Sequence, residues 1–246
     1  MKKQIQNYYQ QATETPWGKL FYDVVFQQLK IGPNLKVLDF GSGFGFTAAH
    51  YGGENELVAI EPSLEMIKWG KCANFQQLVG GEELLGQLPR ATFDWIICHN
   101  VLEYVDNQEA VLTSLLNLLK PGGRLSLIKH HLPGAIIQQA VLMDAPQDAM
   151  ALLEKQGVKS SYFGAIQFYE ESQLVSWCQP FKAEIVERFG IRSMYGLSQN
   201  EEAKQTNDWY QGMLRLEAVI AQKSPFAEMA FYRHLIIEKK CEVGLF

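Results

Sequence analysis

Residues 36–45, Lys-Val-Leu-Asp-Phe-Gly-Ser-Gly-Phe-Gly, constrain this chain more than any other stretch. The apolar pair Val37-Leu38 runs into Asp39, and Gly41, Gly43 and Gly45 follow at alternate positions. Continuous apolar residues mark a strand covered on both faces, as in a parallel sheet. Glycines after such a strand mark a turn where backbone comes closer to a ligand than a Cβ would allow. Thr47-Ala-Ala-His50 then reads as the opening of a helix. Strand, glycine turn and helix make half of a nucleotide-binding unit.

The spacing separates two ligand classes. A dinucleotide fingerprint is Gly-x-Gly-x-x-Gly, with pyrophosphate on the helix N-terminus. Here the pattern is Gly-x-Gly-x-Gly behind an acid, whose charge opposes a phosphate and suits a cationic or zwitterionic ligand. Alone, the pattern also fits an ordinary glycine-rich turn. The next element decides: Glu56-Leu-Val-Ala-Ile-Glu61 is a second apolar run closing on an acid, sixteen residues past Gly45. A carboxylate there accepts hydrogen bonds from ribose hydroxyls and disfavours a 2′-phosphate. Pro62 suits a first helical turn, and Leu64, Met66, Ile67 and Trp69 give an apolar helix face.

Two further motifs follow in order, Phe93-Asp-Trp-Ile-Ile-Cys-His99 and Leu119-Lys-Pro-Gly-Gly-Arg-Leu125. Together with the glycine turn and Glu61, they resemble the ordered motifs of S-adenosylmethionine-dependent methyltransferases of the seven-stranded Rossmann-like type, over residues 36–130. Lys120-Pro-Gly-Gly123 discriminates best; it reads as a helix stop feeding a buried strand over 125–128. The resemblance implies S-adenosyl-L-methionine as cofactor. A narrower resemblance rests on His99-Asn-Val-Leu-Glu-Tyr104, Gly190-Ile-Arg192, the segment from Trp209-Tyr210 to Leu216-Glu217, and Tyr232 with His234. These are similar to the bacterial methyltransferases that esterify 5-carboxymethoxyuridine in tRNA. The chain departs from them at the N-terminal arginine position near Phe21, at Lys129-His130-His131, and in lacking a lysine-rich central stretch.

The fold expected is α/β: a Rossmann-like, mostly parallel seven-stranded sheet with helices on both faces and a helical insertion after strand five. The 246 residues fit a single domain, with an N-terminal lid and helix over 1–30 and a helical cap over about 131–180. The first helix is expected over 18–30, with Leu20, Phe21, Val24, Val25 and Leu29 inward. Strands are expected over 36–40, 56–60, 74–79, 93–98 and 124–129, with a helix over 108–119. Helices over 136–143 and 148–156, split by Pro146, and over 171–178 make up the insertion. Residues 182–192 and 230–238 read as an antiparallel pair closing the sheet, and 201–222 as one long helix.

Ligands in open α/β sheets bind at the carboxyl ends of the strands. Asp39 with the backbone of Gly41, Gly43 and Gly45 is expected to hold the methionine part, Glu61 the ribose, and Gly81 and Glu82 the adenine. His99 is either a cofactor contact or a satisfied core histidine. No residue is assigned as a catalytic base, because displacement from a sulfonium mostly needs alignment and exclusion of water. If the acceptor is a carboxylate it is ionised already, and Arg192, or failing that Arg233, is expected to orient it, with Tyr232 and one of His130 and His131 as further acceptor contacts. Neighbouring histidines on a strand point to opposite faces, so no metal site is expected. Tyr8, Tyr9 and Trp17 read as an aromatic lid on the cofactor, or as a tail packed on the domain.

A net charge of −5 argues against a dedicated nucleic-acid binder. Between 129 and 160, Lys129, Lys155 and Lys159 are offset by Asp144, Asp148 and Glu154. A small-molecule acceptor is therefore expected ahead of tRNA, with no membrane and no obligatory protein partner. Cys72, Cys98, Cys178 and Cys241 form no metal knuckle or redox pair and read as small buried hydrophobes in a reducing compartment. With no apolar leader core and no apolar run of ~20 residues, a cytoplasmic protein is expected. The rival classes are a non-catalytic cofactor-binding module and, against the glycine spacing, an NAD-type oxidoreductase.

Overall fold

The structure is a computed structural model that describes residues 2–70, 74–154, 158–160 and 164–241. Helices α1 (Lys2–Glu14) and α2 (Pro16–Gln28) precede β1 (Lys36–Phe40), α3 (Phe46–Gly52), β2 (Glu56–Glu61), α4 (Leu64–Trp69) and β3 (Gln76–Val79). Then come β4 (Phe93–His99), α5 (Gln108–Leu118), β5 (Leu119–His130), α6 (Leu132–Ile137) and α7 (Pro146–Leu153). A short antiparallel pair, β6 (Val158–Ser160) and β7 (Gly164–Ile166), leads to α8 (Glu171–Cys178), β8 (Ala183–Ile191), α9 (Glu201–Lys204), α10 (Asn207–Ile220) and β9 (Tyr232–Lys239).

Seven strands form one sheet in the order β3-β2-β1-β4-β5-β9-β8. β1 runs parallel to β2 and β4, β2 to β3, and β4 to β5. The strand order reverses between β1 and β4, the switch point where such sheets bind ligands. The sheet is the expected Rossmann-like one, and it follows from the apolar runs: Leu38, Ile60, Ile96, Cys98, Leu125, Leu127, Leu235 and Ile237 are all buried in one core. α5 adds Val111, Leu112, Leu115 and Leu116 to it. Each such aliphatic contributes about 1.5–3 kcal/mol on burial.

The residues divide into two compact units. One comprises Ile31–Ile128, Tyr169–Glu187 and Leu235–Phe246; the other comprises Met1–Lys30, Lys129–Phe168 and Arg188–His234. The first is the cofactor-type unit with the glycine turn. In the second, α2 packs against α1 and α10. Thr15 caps α2 by accepting from Gly18 N–H at 3.2 Å, with Pro16 at the first helical position, where its missing N–H costs nothing. Leu20, Phe21, Val24, Val25 and Leu29 are buried as expected.

Several expectations need correction. α5 stops at Leu118, and Lys120-Pro-Gly-Gly123 lies inside a longer β5 that starts at Leu119 opposite Phe93, with a register shift between Phe93 and Trp95. Pro121 excludes Lys120 from helical geometry, so Leu119 already turns extended. The first insertion helix starts at Leu132 rather than 136, because Pro133 favours a helix start; it continues as a π turn over Gln138–Leu142. Pro146 opens α7 rather than lying between helices, and the end expected at 156 lies outside the described residues. The helix expected over 201–222 breaks at Gln205 and Thr206, where the Thr206 hydroxyl donates to the Ala203 carbonyl at 2.8 Å and ends α9. Cys98 and Cys178 are buried, but Cys241 is exposed, just past the end of β9; Cys72 lies outside the described residues.

Candidate active site

The glycine turn drapes over the end of β2. Gly41 N–H and Ser42 N–H both donate to the Ile60 carbonyl, at 2.9 and 3.0 Å, and Gly45 N–H to the Ser42 carbonyl at 2.8 Å. Gly41 has φ +76°, and a Cβ on it would lie 2.3 Å from Val101 Cγ2. Only glycine fits there, on conformation and on space. Gly43, at φ +57°, is likewise in the left-handed region.

Glu61 at the end of β2 closes this turn. One carboxylate oxygen accepts from Gly43 N–H at 2.8 Å and the other from Ser63 N–H at 2.9 Å, with the residue 6% exposed. Burial pushes its carboxyl pKa up, and the two backbone donors pull it partly back. Each oxygen keeps a second lone pair, so the group retains acceptor capacity for hydroxyls.

Asp39 is 3% exposed, and its carboxyl pKa is raised from 3.8 to about 7, first by desolvation and then by the like charge of Glu61; a hydrogen bond from the Ala48 backbone works the other way. The two acids thus share one electrostatic environment. Three buried polar atoms here have no hydrogen-bond partner among the described residues: Asp39 Oδ2, Ser42 Oγ and Asn100 Oδ1. Buried polar atoms are rarely left so, because each costs about 1–3 kcal/mol. Two neighbouring acids and a set of unused acceptors form a cradle for a cationic, donor-rich group, and they fit an α-ammonium beside a sulfonium. They do not fit a pyrophosphate.

His99, at the end of β4, has Nε2 2.7 Å from Ser126 Oγ, so its ring is held by a fully buried serine of β5. Asn100 follows with φ +53°, a left-handed conformation that asparagine tolerates, and its N–H donates to the Ile128 carbonyl at 2.8 Å. Sequence reasoning selected His99 and passed over Asn100; an asparagine directly after a buried strand was the available signal. At the end of β3, Gly81 N–H donates to Glu83 at 2.7 Å, while the neighbouring Glu82 is exposed.

The acceptor candidates all lie in the other unit. Arg192 sits just past β8 with φ +61° and is 1% exposed. Its guanidinium stacks on Trp17, 3.6 Å from the ring centroid, with Phe21 at 5.2 Å and Tyr232 at 5.4 Å. Nη2 donates to the Trp17 carbonyl at 2.7 Å, and Nε is buried without a partner among the described residues. Burial lowers the Arg192 pKa, and the surrounding Tyr232, Tyr195, Tyr8 and Glu217 act in the opposite sense. Tyr232 also meets Phe21 at 5.4 Å and the His130 ring at 4.9 Å. Arg192, Tyr232 and His130 therefore gather around one aromatic cluster. His131 occupies the N-cap position of α6 without a side-chain capping bond, and its Nδ1 lies 3.0 Å from the Ala230 carbonyl. Arg233, 8% exposed, donates to the Ala227 carbonyl at 3.1 Å. Sequence reasoning missed Trp17 as the platform for Arg192, because the two are 175 positions apart. Among the described residues, no helix is long and apolar enough to cross a membrane.

Comparison with known proteins agrees with this geometry. A family model described as a methyltransferase domain matches residues 38–127, the segment holding the glycine turn, Glu61, His99 and Asn100. Over 242 residues the chain is 26% identical to the tRNA 5-carboxymethoxyuridine methyltransferase of Escherichia coli K12, covering 92% of this chain and 90% of that protein. Over 98 residues it is 33% identical to the ubiquinone biosynthesis O-methyltransferase of Xylella fastidiosa, covering 37% of this chain and 39% of that one. The crystal structure of an S-adenosylmethionine-dependent methyltransferase from Mesorhizobium loti has the same fold, with a TM-score of 0.57 at 13% identity, covering 90% of this chain and 96% of that one. The chain carries a methyltransferase domain of the Rossmann-like type. It is an S-adenosylmethionine-dependent methyltransferase.

Proposed function

We propose that this enzyme methylates a carboxylate oxygen, giving a methyl ester, with Arg192 as the anchor of the acceptor. The observation that carries the reading is the state of Arg192: a guanidinium 1% exposed, with Nε unpaired and no ion-pair partner among the described residues. An arginine stays charged in proteins. A buried charge costs several kcal/mol, and stacking on aromatic faces offsets only ~0.5–2 kcal/mol of that. An anion accepting from the free edge of the guanidinium would complete the site, and a planar carboxylate matches its donor geometry.

In this reading Asp39, Ser42 and Asn100 accept from the ammonium end of the cofactor, the backbone of the 41–45 turn lies along it, and Glu61 accepts from the ribose hydroxyls. Gly81 and Glu82 flank the adenine, and His99, oriented by Ser126, lines the same cradle. The bound cofactor supplies a methyl group already activated on sulfonium. The chain's residues align the acceptor and exclude water; no base is required, because a carboxylate with an ordinary pKa near 4 is ionised at neutral pH. Tyr232 and His130 set the walls beside Arg192.

The similarity to the E. coli enzyme extends far beyond the cofactor segment, to 92% of the chain, and supports a carboxylate carried on a modified tRNA uridine. A small carboxylic acid is the second reading, favoured by the net charge of −5. In labelled-methyl transfer assays, Arg192→Ala is expected to cut turnover at least tenfold, the loss of about 1.4 kcal/mol or more of charge-assisted bonding, with cofactor affinity unchanged. Undiminished turnover removes Arg192 from the acceptor site.

A further inference from the structure

The geometry points to Glu217 as a positioning residue for acceptor recognition, a role that rests on the reading of Arg192 as the acceptor anchor. Glu217 lies on α10 and is fully buried. Its carboxylate gathers three consecutive backbone donors: Oε2 accepts from Ser193 N–H at 3.0 Å, and Oε1 from Met194 N–H at 2.8 Å and Tyr195 N–H at 2.7 Å. These residues directly follow Arg192, whose φ of +61° is a conformation an arginine adopts only when its surroundings impose it.

Three N–H groups converging on one point need an acceptor with several lone pairs and no hydrogens. An ionised carboxylate meets that requirement; a glutamine amide brings an NH2 group toward an N–H and loses at least one bond. The clamp fixes the turn, and the turn fixes where the Arg192 side chain leaves the backbone. Glu217 spends its oxygens on backbone donors, so its negative charge acts on the buried guanidinium without occupying it. Nε is left without a partner among the described residues. An aspartate or glutamate bonded directly to Arg192 would have neutralised the same charge and closed the site.

Glu217→Gln and Glu217→Asp test this, with an anticodon stem-loop RNA carrying 5-carboxymethoxyuridine as acceptor and calorimetric titration of S-adenosylhomocysteine as the cofactor readout. Expected for Glu217→Gln is a rise of about tenfold or more in acceptor KM, with kcat changed less and cofactor affinity unchanged. Glu217→Asp, which keeps the charge, should recover part of the loss. Combining Glu217→Gln with Arg192→Ala should add little to Arg192→Ala alone, because both act through one guanidinium. An unchanged KM, fully additive losses, or loss of the fold in both Glu217 variants overturns the positioning role. A second readout needs no acceptor: with 5-fluorotryptophan in place of tryptophan, the Trp17 fluorine resonance, assigned by Trp17→Phe, should move in Glu217→Gln because its stacked guanidinium moves. If the wild type does not methylate the RNA, the tRNA acceptor reading fails, while the Trp17 signal still decides the positioning claim.

Discussion

Replacing Asp39 by Asn should make the empty protein more stable and the enzyme inactive. The Asp39 carboxyl is buried, and its pKa is raised from 3.8 to about 7 by desolvation and by Glu61. The native state therefore holds a proton that the unfolded state has released, everywhere between pH 4 and pH 7. This group's favourable contribution is complete below pH 4 and is lost as pH climbs through 7. At 1.36 kcal/mol per unit, the rise from 3.8 to about 7 corresponds to a penalty of roughly 4 kcal/mol at pH 8 and less than half of that at pH 5. Asn is nearly isosteric and carries no charge. Urea unfolding of Asp39→Asn and wild type should thus show the variant more stable by up to about 4 kcal/mol at pH 8, the gap narrowing toward pH 5. Calorimetry should show S-adenosylhomocysteine binding weakened by an order of magnitude or more, since a charged acceptor for the ammonium group is gone. A variant equally destabilised at both pH values would refute the assignment of Asp39 as a strained, ligand-ready acid.

Other outcomes follow from single residues. Gly41→Ala should lower stability by about 2 kcal/mol or more, read as a fall in Tm, because the new Cβ would lie 2.3 Å from Val101 Cγ2 at a φ of +76°. His234 is fully buried, its Nδ1 2.9 Å from Gln28 Oε1, and burial depresses its pKa from 6.5 to about 3. Here the unfolded state binds the extra proton, so stability falls as pH drops from 6.5 toward 3; the urea midpoint of His234→Asn should be flatter over that window than that of wild type.

The cofactor half was legible because its chemistry is local. Asp39, the three glycines and Glu61 are spaced by strand and turn geometry, and a parallel sheet returns each strand end to the same edge. The register of β1 against β2 pairs Asp39 with Ala59, so an acid at each strand end meets the same turn. The Arg192 cluster was only half legible. Arg192 and Tyr232 were selected by residue type, but Trp17 and Glu217 meet that turn from helices far off in sequence, and no periodicity signals such contacts. The single long helix over 201–222 misled for a local reason: Thr206 is compatible with a helix interior by propensity, yet its hydroxyl bonds back to Ala203 and its extended backbone makes it the N-cap of a new helix.

On this mechanism the transferred methyl ends on a carboxylate held at Arg192. Tritiated S-adenosylmethionine, the purified enzyme and an anticodon stem-loop bearing 5-carboxymethoxyuridine provide the direct test, with each product exposed to mild alkali. Label should enter the RNA and be released by alkali as volatile methanol, because a methyl ester hydrolyses where an ether or N-methyl group does not. Label that survives alkali, or no label in this RNA or in any carboxylic acid offered in its place, would contradict it.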